Sequence, residues 1–309
     1  MERLLSQQIP FRKGAFHDCL RQRMIEDMQV RNLSPHTQTS SVQQVSLFAR
    51  YLGKPPDQLG PEEIRSYQVH LTNEKKLAPC SILIAVAALR FLYKVTLHRD
   101  WSVEDIIPAP KKPQKLLIVL SREEVLQFLA SVSSLKHRTI LTTCYAAGLR
   151  ISEAVRLQPS EIDSHRMVIR VELGKGQKDR YVMLSPRLLE ILREWWRLEK
   201  PKGWLFAGDI VGRHITSDAV ELACRQAHQA SRISKPITPH SMRHAFAVHL
   251  LERGTDVRTI QLLLGHRSLA TTARYLRIAT NKVCSTTSPF DLLPQPKAPE
   301  SKPAAPQYF

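Results

Sequence analysis

Residues 238–275 read TPHSMRHAFAVHLLERGTDVRTIQLLLGHRSLATTARY, and this stretch contains the start and stop signals of three predicted helices. Thr238 followed by Pro239 predicts a helix start, because a threonine hydroxyl caps free backbone N–H groups and proline at the first helical position loses no hydrogen bond. Apolar residues then recur three to four positions apart through Leu251, and Gly254 predicts the end of this helix.

Two further helices are predicted downstream. The first begins at Asp256 and ends at Gly265, which places His266 on the turn just beyond it. Ser268 is suited to cap the next helix, and Tyr275 is expected on that helix.

His240 and Arg243 lie three residues apart near the predicted helix start, so their side chains share a face. Because the N-terminus of a helix attracts anions, this pair outlines a phosphate site. Two plainer interpretations stand beside it. His240 and His244 have the spacing of zinc ligands on a helix, although no glutamate lies between them and no cysteine is near. Taken alone, a tyrosine near a helix end, such as Tyr275, is usually a surface or core residue.

The composition favours a polyanionic partner. The 309 residues include 45 Lys plus Arg against 28 Asp plus Glu, a net charge of +17, and the isoelectric point is about 9.9. Basic proteins bind polyanions by releasing counterions, so nucleic acid is the leading candidate, with a merely basic protein as the alternative. With 43% hydrophobic residues the chain can bury one or two cores, and two domains are expected.

The cysteines and the N-terminus indicate a reducing compartment. The five cysteines are scattered and lack metal-binding spacing, and Cys80 and Cys144 lie in apolar runs that predict small core residues. The first residues lack the apolar region of a signal peptide, and no stretch approaches eighteen uninterrupted apolar residues. We expect a cytoplasmic protein.

Residues 15–98 have the spacing of helices only. Four helices are expected, one within residues 16–30 and the others beginning near Ser34, Pro61 and Pro79, and together they predict a small bundle. The fourth is so rich in Ala, Ile, Leu and Val that its neighbours must cover much of its circumference. Six basic residues are candidates either for contacts with a phosphate backbone or for a solvated face: Arg50, Lys54, Lys75, Lys76, Arg90 and Lys94.

A Pro-Ala-Pro-Lys-Lys-Pro segment begins at Pro108 and predicts a domain boundary, because it cannot be helical. We expect a helical domain over residues 1–107, a linker over 108–117, a second domain over 118–288 and a proline-rich, disordered tail over 289–309.

The second region begins with a capping-box spacing at Ser121 and is predicted to be mostly helical up to Leu157. Alternating apolar residues over 167–173 and again over 181–184 flank a glycine-rich turn, which predicts a β-hairpin with Lys175 at its tip. The predicted fold class is therefore mainly α with a small β-sheet or hairpin.

Residues 148–153 read GLRISE and place Arg150 three residues before Glu153. Alone, an arginine and a glutamate at this spacing are more often a pair on a helix surface. In chain order with four other features, however, the segment resembles the active-site motifs of the tyrosine recombinase family, which includes phage integrases and Xer-type recombinases. Those features are Lys175 in Gly-Lys-Gly, His240-x-x-Arg243, Leu264-Gly265-His266 and Tyr275.

The resemblance is detailed from Ser121 to Tyr275 and looser in the first region, which is similar to the family's core-binding domain. No catalytic position departs from the family pattern, and Met242 stands where leucine is usual. The resemblance implies six catalytic residues: Arg150, Lys175, His240, Arg243, His266 and Tyr275.

The resemblance also implies a role for each residue. Tyr275 would be the nucleophile that forms a 3′-phosphotyrosine link, and Lys175 the general acid for the leaving 5′ oxygen. His240 would act as base or orienter for the tyrosine hydroxyl, and His266 would hydrogen-bond the phosphate. Glu153 would orient its neighbours, while Lys178 and Arg180 are reserve candidates for DNA contacts.

The residues suit this chemistry on physical grounds as well. Planar guanidinium groups such as those of Arg150 and Arg243 donate two parallel hydrogen bonds to phosphate. A covalent phosphotyrosine link keeps the energy of the broken bond, so strands can be rejoined without ATP. No cofactor and no metal are expected.

The predicted function is that of a site-specific DNA recombinase or integrase. The resemblance implies double-stranded DNA as partner and a homotetramer on DNA, or a heterotetramer with a paralogue. One alternative is a type IB topoisomerase, which has a related site but relaxes supercoils. Another is a DNA-binding regulator that keeps the fold without catalysis, and the complete residue set argues against it.

Overall fold

The computed structural model describes residues 18–111, 117–172 and 179–277. The chain divides into two compact units, one of residues up to 114 and one from residue 115 onward. Lys175, Lys178 and the proline-rich tail, about which the sequence makes predictions, lie outside the described residues.

The first unit is helical throughout its regular structure, as predicted. Its helices are α1 (Asp18–Val30), α2 (Pro35–Leu52), α3 (Pro61–Val69), α4 (Pro79–Phe91) and the short α5 (Val103–Ile106). Wide turns with π-helical hydrogen bonding extend α3 to Glu74 and α4 to Thr96. Helix α2 begins where predicted, because the Ser34 hydroxyl accepts from the Thr37 N–H. Gly53 ends the helix with a left-handed backbone at φ 66°.

Helix α4 packs against α2 in the core of this unit. Together with its extension it spans Pro79–Thr96, and by length and composition it is apolar enough to cross a membrane. However, Val86, Leu89 and Tyr93 are buried among the other helices of the bundle. A soluble bundle's central helix passes the same test, so this segment is not evidence of a membrane protein.

Two of the six candidate basic residues serve the bundle itself. The Arg90 guanidinium donates to the Ile107 carbonyl oxygen from both Nε (2.9 Å) and Nη2 (2.7 Å). Lys94 pairs with Glu104 at 2.8 Å on the surface. Both residues therefore hold the segment that carries α5.

The second unit contains eight helices within the described residues: α6 (Arg122–Ala130), α7 (Leu135–Ala146), α8 (Ile151–Ala154), α9 (Pro186–Glu199), α10 (Ser217–Ser231), α11 (Pro239–Glu252), α12 (Val257–Leu264) and α13 (Leu269–Ala273). Helix α7 packs against both α9 and α11. Met242 of α11 is fully buried in this core.

The small sheet has three antiparallel strands in the order β1 (Ile162–Asp163), β2 (Val168–Val171) and β3 (Arg180–Met183). Strands β2 and β3 are the arms of the predicted hairpin, with Val171 opposite Arg180. The two-residue β1 was not predicted, because its pairing with Ile169 and Val168 is a tertiary contact. The mainly helical fold with a small sheet is confirmed.

The predictions for the two cysteines in apolar runs have different outcomes. Cys144 is fully buried in α7, as predicted, and burial raises the pKa of its thiol to about 12. Cys80 is exposed, so the prediction of a core residue was wrong. It lies in the first turn of α4, and the residues that this helix buries begin at Ile82.

Candidate active site

Helix α11 begins as its sequence predicts. The Thr238 hydroxyl accepts from the Ser241 N–H, and Pro239 occupies the first helical turn. Arg243, one turn further on, is only 3% exposed. Its guanidinium donates from Nη1 to the Gly148 carbonyl oxygen (2.5 Å) and from Nη2 to the carbonyl oxygen of Leu264. Arg243 thus joins the segment before Arg150 to the segment before His266.

Gly148 allows the chain to pass close to α11. Its backbone is left-handed at φ 65°, and a Cβ atom there would lie 2.5 Å from the Phe246 ring. Both features require glycine. The turn places Arg150 at the N-cap of α8.

Glu153 caps the N-terminus of α8 and also binds the Arg150 side chain. Its Oε2 accepts from the Arg150 backbone N–H at 2.8 Å, and its Oε1 accepts from Arg150 Nη1 at 2.7 Å. The carboxylate also lies 3.8 Å from Arg243 Nη1. Instead of forming a pair on a helix surface, the two residues are largely buried, with side chains 17% and 7% exposed.

Arg180 of β3 binds the same carboxylate. Its Nη1 and Nη2 donate to the two oxygens of Glu153 at 3.0 and 2.8 Å, and its Nε donates to the Leu263 carbonyl oxygen at 3.0 Å. Burial opposes ionisation of Glu153, but the arginines outweigh it and lower the pKa of the carboxyl to about 2. Three guanidinium groups therefore surround one carboxylate, and this cluster of four side chains has a net positive charge.

Helix α12 ends at Gly265, whose left-handed backbone (φ 60°) caps it and sets His266 on the following turn. His266 Nδ1 lies 2.9 Å from the Thr272 hydroxyl, and the Gln261 side chain donates to the His266 carbonyl oxygen at 2.9 Å. Burial, together with the positive charge of Arg243 and Arg150, lowers the pKa of His266 to about 4. The ring is therefore neutral near pH 7.

Tyr275 lies on a 3₁₀ turn, Arg274–Arg277, that directly follows α13. The sequence predicted a helix there, and Ser268 caps α13 as expected. The tyrosine is 3% exposed, packs in a cluster with Phe246, and stacks on His266 with ring centroids 6.4 Å apart. Burial raises the pKa of its hydroxyl, and the charges of Arg243, Arg274 and Arg150 partly oppose this.

The Tyr275 hydroxyl lies 2.9 Å from His244 Nδ1. Burial lowers the pKa of His244 to about 4, assisted by His240 and Arg243, so this imidazole is neutral near pH 7. A neutral imidazole nitrogen can accept a proton from the hydroxyl or donate one to it. The sequence had suggested His244 only as a zinc ligand beside His240.

His240 is exposed at the start of α11, with its ring centroid 6.4 Å from that of His244. Loss of solvent around the ring and the nearby charges of Arg243 and Arg150 lower the pKa of His240. Among the described residues, no group of three His, Cys, Asp or Glu side chains is placed to share a metal ion.

Five of the six predicted catalytic residues thus lie on connected segments of one unit. Arg243 bonds the segments that precede Arg150 and His266, while His266 and His244 flank Tyr275. Buried guanidinium groups beside a hydroxyl and neutral imidazoles can bind a phosphate diester and present a nucleophile to it.

The contacts of His244 and Arg180 were not predicted, although the position of each residue in the sequence indicates which way its side chain points. His244 lies four residues after His240 on a helix, so both rings share a face. Arg180 lies two residues before the buried Val182 in β3, so alternation directs both side chains to the inner face. A charged residue on an inner face needs a partner, and Arg180 finds one in Glu153.

Comparisons with known proteins identify the family of the chain. The phage integrase family matches residues 119–282, and the phage integrase N-terminal SAM-like domain matches residues 20–103. An integrase/recombinase of Sinorhizobium fredii, y4qK, is 71% identical over 290 residues, which is 94% of each chain. The chain belongs to the phage integrase family. The tyrosine recombinase XerD of Staphylococcus saprophyticus is 30% identical over 213 residues, 64% of this chain and 72% of that protein.

Among solved structures, a lambda integrase dimer bound to a COC′ core site aligns with a TM-score of 0.68 and 18% identity, covering 82% of this chain and 96% of that one. At this identity the likeness shows the phage integrase fold. The family assignment makes the chain a tyrosine-type site-specific DNA recombinase, so the predicted enzyme class is confirmed. These matches do not favour the topoisomerase or the non-catalytic regulator.

Proposed function

We propose that this phage integrase family member cuts and rejoins duplex DNA at specific sites through a covalent link between Tyr275 and a 3′ phosphate. The observation that carries the proposal is the environment of Tyr275. Its hydroxyl is hydrogen-bonded to a neutral histidine, and the tyrosine lies in the electrostatic field of Arg150 and Arg243.

Arg150 and Arg243 would bind the scissile phosphate. Each guanidinium has five N–H donors, and the bonds to Glu153 and to the two carbonyl oxygens use only some of them. Because these bonds fix the planes of both groups, the remaining donors can meet the charge that develops on the phosphate oxygens without reorganisation. His266, held by Thr272, would add a further hydrogen bond.

In the cleavage step the Tyr275 oxygen attacks phosphorus and the bond from phosphorus to the 5′ oxygen breaks. The tyrosine proton must leave, and His244 and His240 are the candidate acceptors on α11. The 5′ oxygen must gain a proton, for which Lys175 is the proposed donor. The phosphotyrosine is then attacked by a 5′ hydroxyl of the partner strand, which reverses the step and consumes no ATP.

The proposal includes the setting of the reaction. Double-stranded DNA is the partner, and the net charge of +17 supports binding to its phosphates. We propose that the first unit is a core-binding domain that contacts the same duplex. Four protomers on two sites, identical or including a paralogue, would exchange strands in the cytoplasm.

The Tyr275→Phe variant tests the nucleophile, because it removes one oxygen from an otherwise unchanged ring. We expect no covalent protein–DNA adduct on a nicked suicide substrate, while the gel-shift affinity for the same DNA stays within about twofold of wild type, since the change leaves the phosphate-binding arginines intact. The measurement is the yield of adduct on a denaturing gel.

The matched control is Tyr51→Phe, which deletes a hydroxyl from an exposed tyrosine of the first unit. This variant should form adducts as wild type does. Adducts that persist in Tyr275→Phe would show that another residue is the nucleophile.

A further inference from the structure

We propose that Arg180 is a positioning residue of the recombination site, acting through Glu153 and through the turn that carries His266. This inference rests on the proposed function, because it concerns how Arg150 and His266 are held for the phosphate. It replaces the expectation from sequence that Arg180 contacts DNA.

The first observation is the shared carboxylate. Arg180 donates to both oxygens of Glu153, at 3.0 and 2.8 Å, and Arg150 donates to the same carboxylate at 2.7 Å from Nη1 and 2.8 Å from its backbone N–H. Bidentate pairing fixes the plane of a carboxylate. Arg180 therefore sets the orientation from which Glu153 holds Arg150.

The second observation is the bond from Arg180 Nε to the Leu263 carbonyl oxygen, at 3.0 Å. Leu263 precedes the turn that ends α12 and places His266. At that turn a Cβ atom on Gly265 would lie 2.9 Å from Arg180 Cδ, so the side chain passes directly against the backbone. One guanidinium thus ties β3 to both α8 and the end of α12.

The third observation is burial. The Arg180 side chain is 11% exposed and that of Glu153 is 7% exposed. All three N–H-bearing nitrogens of the guanidinium already have protein partners. These contacts suit a residue that organises the site from within rather than one that reaches a DNA backbone.

Lysine can keep the charge at this position but not the geometry. Its single ammonium group cannot span two carboxylate oxygens and a carbonyl oxygen in one plane. Arg180→Lys should therefore loosen Glu153 and Arg150 while avoiding an unpaired buried carboxylate. Displacing a reacting group by about 1 Å costs on the order of 100-fold in rate.

The experiment compares Arg180→Lys, Glu153→Gln and the double variant with wild type in two assays on one suicide substrate. The first assay is equilibrium DNA binding, and the second is single-turnover adduct formation at saturating protein. We expect Arg180→Lys to bind within about twofold of wild type and to form adducts at least about tenfold more slowly. Because both residues act in one chain of contacts, the double variant should be no slower than the slower single variant.

Arg170→Ala is the matched control, since Arg170 lies on the adjacent strand with its side chain 48% exposed and pairs with Asp179 and Glu172. It should form adducts at the wild-type rate. If wild type and this control form no adducts, the proposed function itself fails.

If wild type and the control react but Arg180→Lys reacts equally fast, the inference alone is overturned. Loss of binding in Arg180→Lys that matches its loss of cleavage would show a DNA contact instead, and would also overturn it. If the fold-losses in adduct rate of the two single variants multiply in the double variant, Arg180 does not act through Glu153.

Discussion

Arg243 shows how much of this site depends on single buried side chains. It is 3% exposed, carries a positive charge, and bonds two backbone carbonyls from different segments. Burial and the charge of Arg150 lower the pKa of its guanidinium to about 10, so it stays charged near pH 7. The protein keeps this charge buried because the carbonyls and Glu153 compensate for the lost water, and a phosphate would compensate further.

The neutral histidines of the site predict a pH dependence of stability. The pKa of His244 is lowered by burial from an ordinary 6.5 to about 4, and that of His266 changes likewise. As the pH falls below 6.5, the unfolded state binds these protons and the folded state does not until about pH 4. The free energy of unfolding of the DNA-free protein should therefore rise with pH across this window and level off above it.

Urea unfolding at a series of pH values measures this slope, and His244→Asn isolates the contribution of one ring. We expect a shallower rise for the variant than for wild type. Parallel curves would show that His244 is not the neutral, buried histidine described above.

At the residue level, the motifs predicted the identities of the candidate residues but not all of their contacts. The Arg150–Glu153 contact followed from three-residue spacing, because neighbours on one turn meet without help from the rest of the fold. The contact between His244 and Tyr275 joins residues 31 positions apart, so only the packing of the α13 region against α11 determines it. Sequence therefore directed attention to His240 as the partner of the hydroxyl.

At the scale of the elements, two conditions constrain the turn between α12 and α13. Gly265 must be left-handed (φ 60°), and it must also leave room for Arg180. Both conditions help to fix the position of His266, because His266 directly follows Gly265.

The Gly265→Ala variant tests this constraint. A left-handed alanine costs roughly 1–2 kcal/mol, and the added Cβ atom would also push against Arg180 Cδ at 2.9 Å. We expect a loss of stability larger than the backbone cost alone, together with slower adduct formation. Denaturant unfolding and the suicide-substrate assay measure the two effects.

Gly53→Ala is the control for the backbone cost, because Gly53 has a similar φ of 66° and no atom lies within 4 Å of its added Cβ. Gly53→Ala should lose only the stability that a left-handed alanine costs, roughly 1–2 kcal/mol, and should keep normal cleavage. Equal losses at the two glycines, with normal cleavage in both, would contradict the role given to the Arg180 contact.

The elements that sequence predicted well are those with local signals. The starts of α2, α6, α11 and α12 follow from capping residues whose bonds reach only three positions along the chain. Strand β1 has only two residues and is defined by its pairing with β2. No local sequence pattern therefore predicts it. The 3₁₀ turn at Tyr275 likewise reflects how the chain leaves α13 to reach the cluster around Phe246.

For the whole molecule, the net charge of +17 predicts strongly salt-dependent DNA binding. Each neutralised phosphate releases counterions, so the logarithm of the affinity should fall linearly with the logarithm of the salt concentration. For about six to ten phosphate contacts the loss is on the order of 10³ to 10⁵ between roughly 50 and 200 mM salt.

Gel-shift titrations at several salt concentrations give this slope, with binding to a specific and an unrelated duplex compared at each one. A slope near zero would contradict phosphate contacts as the main source of affinity. The sequence alone predicts this behaviour, since it depends on charge and not on the fold.

Peptide mapping of the trapped adduct identifies the residue that is covalently joined to DNA, which we propose is Tyr275. Wild-type protein is reacted with a suicide substrate, the complex is digested with protease and nuclease, and the nucleotide-bearing peptide is sequenced by mass spectrometry. We expect a nucleotide joined through its 3′ phosphate to Tyr275, in a peptide from the 3₁₀ turn that follows α13. A nucleotide attached to any other residue, or attached to Tyr275 through its 5′ phosphate, would contradict the proposed 3′-phosphotyrosine link.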